Sequence, residues 1–101
     1  MSPCNALLVV TEDGFGKRVP LELLRGYERG MMKLRAFGRR FTFAAEVGNL
    51  DEVLLTSSQE KVIELAVSRV PIMGRKARGA RVVRLQSGER VIAGTVRSVS
   101  R

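Results

Sequence analysis

Six basic residues and no acidic one lie between Arg69 and Arg84: Arg69, Arg75, Lys76, Arg78, Arg81 and Arg84. Guanidinium forks match the geometry of phosphate oxygens and shed water more readily than ammonium groups do. The chemistry such a run can supply is contact with a polyanion. Gly74 and Gly79 bracket its centre, and residues without a Cβ let backbone N–H groups approach an anion closely. Each phosphate neutralised releases counterions, so affinity of this kind falls as salt rises. A second cluster comprises Lys17, Arg18, Arg25 and Arg29, with Lys33, Arg35, Arg39 and Arg40 further along. Glu12, Asp13, Glu22 and Glu28 dilute it. Tyr27, among these, is either a packed loop aromatic or a stacking surface for a sugar or base.

Other chemistries have little to work with. Gly14-Phe15-Gly16-Lys17 lacks the Gly-Lys-Ser/Thr ending of a nucleotide-binding loop and reads as a turn with Phe15 as packing anchor. Asp51 and Glu52 are adjacent, and neighbours on a strand point to opposite faces, so they make poor acid/base partners. The chain has no His, and Cys4 is its single cysteine. That leaves no base to activate a thiol, no internal disulfide and no structural zinc site. No catalytic residue, metal or cofactor is expected, and the chain reads as a binding protein rather than an enzyme.

The whole composition agrees with the basic clusters. In 101 residues, 18 Lys and Arg face 10 Asp and Glu, for a net charge of +8. The attracted partners are nucleic acid, an acidic membrane or an acidic protein. Hydrophobic residues make up 45%, which supports a packed core rather than disorder. The apolar run Ala6 to Val10 is short and has no charged region before it, so neither a signal peptide nor a membrane span is expected. A reducing cytoplasm fits the single cysteine.

The elements that must position these residues read as strands and turns. Ala6 to Thr11 is a β-rich run closed by Glu12-Asp13-Gly14. Lys17 to Leu21 suits a second short strand, followed by a loop from Gly26 to Gly30. Met31 to Phe37 alternates, with Met32, Leu34 and Ala36 on one face and Lys33 and Arg35 on the other. Gly38-Arg39-Arg40 turns the chain into the run Phe41 to Val47. The second half repeats the order. Glu52 to Ser57 matches the first strand, Lys61 to Leu65 the second, and Gly74 to Gly79 the Gly-bounded loop. Ala80 to Leu85 matches the alternating strand, with Val82 inward and Val83 outward or at an edge. Ser87-Gly88-Glu89-Arg90 forms the turn before Val91 to Val96. Glu60 to Val70 also suits helical spacing, but its match to the Pro20-containing first copy favours a strand and a loop. An offset of about 44 to 50 residues, with about four short strands per unit, suggests propeller-type blades.

Leu7 to Leu21, reading Leu-Leu-Val-Val-Thr-Glu-Asp-Gly-Phe-Gly-Lys-Arg-Val-Pro-Leu, resembles the blade-opening motif of the DNA gyrase A C-terminal domain family. Val53 to Ser57 with Lys61-Val62-Ile63 resembles a variant opening, and Val70 to Val83 resembles the family's loop and following strand. Related topoisomerase IV tails share the pattern. The likeness runs from about Leu7 to Val96. It implies an all-β pinwheel that binds and bends DNA around a basic outer rim in the bacterial cytoplasm, associated with the nucleoid. The family's box Gln-Arg-Arg-Gly-Gly-Lys-Gly is absent, and Tyr27 has no context for a strand-cleaving role.

The expectation is therefore one domain over 1–101 with two blades, about 5–50 and about 51–98. Two blades cannot close a ring, so the chain self-assembles, packs its two sheets face to face as a small sandwich, or docks on a larger partner; completion by homo-oligomerisation is the favoured expectation. The expected function is sequence-independent binding of double-stranded DNA. Its contacts are Lys17, Arg18, Arg25, Arg29, Arg69, Arg75, Lys76, Arg78 and Arg81. The alternative is a protein-interaction module that docks on gyrase or another partner by exposed blade edges. A membrane partner is not expected.

Overall fold

The structure is a computed structural model that describes residues 5–24, 41–74 and 79–97. The expected strand Met31 to Phe37, the Gly26 to Gly30 loop, the Gly38 turn and residues 75–78 lie outside the described residues.

Two antiparallel sheets form an all-β fold. The first has the order β3-β1-β2-β6 and the second β5-β4-β7. In chain order these are β1 (Ala6–Thr11), β2 (Phe15–Pro20), β3 (Phe41–Val47), β4 (Glu52–Ser57), β5 (Val62–Ala66), β6 (Ala80–Arg81) and β7 (Val91–Arg97). β1 is buried along its whole length, which is why Leu7 to Val10 is a continuous apolar run and does not alternate. β4 alternates, with Val53, Leu55 and Ser57 buried between half-buried neighbours.

The two halves share one construction. Ala6 pairs with Pro20 and with Val47; Glu52 pairs with Ala66 and with Arg97. Both central strands carry a bulge at their last step, Val10/Thr11 and Thr56/Ser57. Both hairpin turns are organised by a hydroxyl at the strand end. Thr11 Oγ1 accepts the Phe15 N–H at 3.1 Å and donates to Asp13, while Ser57 Oγ accepts the Gln59 N–H at 3.1 Å. Both turns need a left-handed residue, Gly14 at φ 91° and Glu60 at φ 63°. Each second strand runs into a 3-10 turn, Leu21–Leu24 and Val67–Arg69. Glu60 to Val70 is thus strand followed by turn, and the helical spacing there is incidental.

The fourth strand of the first sheet comes from the second half of the chain. Phe15 pairs with Arg81 and Gly16 with Ala80. This strand is shorter than Ala80 to Leu85, and its burial is opposite to expectation: Val83 is buried and Val82 half-buried. Val83 turns inward because its N–H, like that of Val82, bonds the Gly14 carbonyl, at 3.2 Å, rather than continuing a ladder.

The main core lies between the sheets. Leu8 and Val10 of β1 meet Val53 and Leu55 of β4, with Val47, Leu65, Val67, Val70, Val83 and Val91 around them. Phe43 on β3 sits over Gly94 on β7, where an added Cβ would come within 2.6 Å of the ring. The other face of the first sheet has its own cluster of Leu7, Val9 and Val19, with Leu21 against it.

Candidate functional site

β2 holds both stems of the basic loop. On the N-terminal side, the Arg18 N–H bonds Pro71 O at 2.8 Å and the Met73 N–H bonds Arg18 O at 2.8 Å. The Lys17 ammonium donates to Gly74 O at 3.0 Å. On the C-terminal side, Gly79 at φ 87° lies so close to Gly16 that a Cβ would be 2.8 Å from its carbonyl oxygen. Glycine at position 79 is what allows the two backbones to meet, while a Cβ at Gly16 would press on Val9 O and the Val82 side chain, each at 3.0 Å. The residues on either side of 75–78 are thus fixed on a buried strand.

Lys17 and Arg18 are expected on the exposed rim, and the structure instead buries them. Their relative exposures are 2% and 6%. Arg18 Nε donates to Val70 O at 2.7 Å and Nη1 to Asn49 Oδ1 at 3.1 Å. Burial pushes both side chains below their usual pKa. A buried cation keeps its charge where inward hydrogen bonds replace water, and these two spend their donors on the chain itself. Their role here is to anchor the loop's stem.

Arg69 and Arg81 are exposed, as are Arg84 and Arg90. Arg69 ends the second 3-10 turn, immediately before the stem residue Val70. The Arg81 guanidinium lies over the Phe15 ring, 4.8 Å from its centroid, which orients the side chain. Arg81, Val82, Val83 and Arg84 line an open cleft of about 250 Å³. Arg25, Arg29, Arg75, Lys76 and Arg78 lie outside the described residues. Arg97, by contrast, is engaged: it pairs with Glu52, with an Nε–Oε1 distance of 3.0 Å, and lies 3.8 Å from Glu64.

The acidic pair is also accounted for. Asp51 Oδ2 accepts the Gly48 N–H at 2.8 Å and so closes the turn into β4, while Glu52 holds Arg97. Nothing in its sequence spacing marks Glu89, yet it is buried at 6% exposure and accepts the Gln86 N–H at 2.9 Å. That backbone bond, the Ser57 hydroxyl and the charge of Lys61 hold its carboxyl below the usual range, against the opposing effect of burial. No group of three or more His, Cys, Asp or Glu able to hold a metal occurs among the described residues. No helix among them is long and apolar enough to cross a membrane.

The family described as DNA gyrase C-terminal domain, beta-propeller, matches residues 5–33 and 51–96. This chain belongs to that family. The DNA gyrase A protein of Chlamydia pneumoniae is 32% identical over 94 residues, covering 88% of this chain and 11% of that protein. That of Pseudomonas aeruginosa is 38% identical over 89 residues, covering 86% and 10%. The chain therefore spans about a tenth of the length of these relatives. A solved DNA gyrase A C-terminal domain superposes with a TM-score of 0.78 at 26% identity, over 92% of this chain and 33% of that one. A topoisomerase IV C-terminal domain gives a TM-score of 0.78 at 19% identity, over 95% and 31%, and shares the fold. In this member of the gyrase C-terminal family, the blade opening at Leu7 and the loop-bearing segment at Val70 meet through β2.

Proposed function

We propose that this member of the gyrase C-terminal family binds duplex DNA without reading its sequence, as a binding module and not an enzyme. The contacts are Arg and Lys side chains on phosphate: the exposed Arg69 and Arg81, joined by Arg84, and the loop residues Arg75, Lys76 and Arg78. Arg25 and Arg29 extend the track. The observation that carries the reading is the clamped stem. Buried Lys17 and Arg18, with the Gly16–Gly79 contact, fix the base of an uninterrupted basic segment. A fixed base lowers the entropy lost when long basic side chains engage a polyanion. Base-edge readout is not part of the proposal, since all regular structure in the described residues is strand or 3-10 turn and no recognition helix is present among them. The relatives are bacterial, and the proposed setting is the bacterial cytoplasm, on the nucleoid.

The test is binding to a random duplex across a salt series, with wild type and an Arg75→Ala, Lys76→Ala, Arg78→Ala triple variant. Log affinity is expected to fall with log salt by about 0.9 per phosphate contacted, and the variant is expected to show a shallower slope. Wild type that binds no better than the variant, or with no salt dependence, overturns the proposal.

A further inference from the structure

Phe15 and Arg81 come from opposite halves of the chain and face each other directly across the antiparallel β2–β6 ladder. Residues opposed in this way sit about 4.5–5.5 Å apart at Cβ, so a long side chain on one strand reaches a ring on the other. Here the guanidinium carbon lies 4.8 Å from the ring centroid.

The backbone beneath this pair is fixed on both sides. The Phe15 N–H bonds Thr11 Oγ1 at 3.1 Å, which ties the ring to the hairpin turn. Gly14 O accepts the Val82 and Val83 N–H groups at 2.9 and 3.2 Å, so the residue before Phe15 holds the two residues after Arg81. Gly79, two residues before Arg81, packs against Gly16, the residue after Phe15. The register of ring and guanidinium is therefore set by contacts before and after them.

The kind of partner matters. Arg97 is held by carboxylates, Glu52 and then Glu64 at 3.8 Å, and these offset its charge. An aromatic face orients a guanidinium and leaves its charge uncancelled. The ring is half-buried and the cation above it exposed, on the wall of the cleft that Arg81 shares with Arg84. A long basic side chain loses rotamer freedom when it grips a phosphate, and one already stacked has less to lose.

We infer that Phe15 is a positioning residue for DNA binding, its ring presetting the Arg81 guanidinium for phosphate. The inference rests on the DNA-binding reading above and deepens it. Phe15 acts through Arg81, in addition to being the packing anchor of its turn.

Random-duplex binding across a salt series tests it, with wild type, Phe15→Leu, Phe15→Tyr, Arg81→Ala and the Phe15→Leu, Arg81→Ala double variant, each checked for folding by circular dichroism. Phe15→Leu keeps an apolar side chain and loses the ring. It is expected to weaken binding about two- to tenfold with the salt slope kept, because the same phosphates are met at a greater entropy cost. Arg81→Ala is expected to lower the slope by about 0.9. Phe15→Tyr retains a ring face and is expected to bind as wild type does. With Arg81 already replaced, Phe15→Leu is expected to cost less than it does in wild type. Phe15→Ile, also ringless and well suited to a strand, takes its place if the leucine variant misfolds. Equal losses in the two backgrounds, or a folded ringless variant that binds as wild type does, overturn the inference and leave DNA binding standing. A wild type that does not bind the duplex overturns the DNA reading and this inference with it.

Discussion

The most consequential residues are two cations that do not reach solvent. Arg18 satisfies a core carbonyl and a loop amide at once, at 2.7 and 3.1 Å. Arg18→Ala leaves the Val70 carbonyl without that donor, and charge-assisted bonds of this kind are each worth about 1.5–3 kcal/mol. The variant is expected to lose about 3 kcal/mol in urea unfolding, and Arg18→Lys, which cannot span both acceptors, to recover less than half. A loss below about 0.5 kcal/mol, the scale of an ordinary surface change, would show that Arg18 is not structural. Glu89 gives a pH signature. Its folded pKa lies below its ordinary value of 4.5. A depressed carboxyl contributes stability that is complete above the unfolded pKa and is lost as pH falls through the folded one. Thermal melts are therefore expected to show wild type losing stability below about pH 4.5 more steeply than Glu89→Gln. Parallel curves would mean that Glu89 titrates alike in both states. Neither role is legible in the sequence. Lys and Arg are exposed by default, and only a cross-chain contact, such as Val70 meeting Arg18, reverses that.

The elements themselves are largely legible, because bulged central strands and hydroxyl-ended turns leave local marks: apolar runs, Thr11 or Ser57, then a turn. What the local pattern does not carry is partnership. Ala80–Arg81 looks like a strand of its own half, yet it completes the sheet of the other half, since its pairing is fixed by Gly14, Gly16 and Gly79 across the chain. Gly94 is similar: a strand glycine weakens propensity, and only the Phe43 ring above it explains its presence. Gly94→Ala is expected to destabilise the fold by about 1–3 kcal/mol through overpacking between the sheets. Gly94→Ala combined with Phe43→Leu is expected to cost less than the two single changes added, with the coupling measured in a double-mutant cycle. Strict additivity would show that the ring moves aside freely.

At the scale of the whole molecule, charge sets how binding responds to salt. A net charge of +8 on 101 residues draws a polyanion from a distance and opposes close association of copies. Arg69, Arg81 and Arg84 are exposed, all in one half of the chain. If they contact phosphate as proposed, each contact removed lowers the salt slope by about 0.9. An Arg69→Ala, Arg81→Ala, Arg84→Ala variant is therefore expected to bind a random duplex more weakly and with a slope shallower by up to about 2.7. A folded variant that keeps the wild-type slope would place the phosphate contacts elsewhere on the surface.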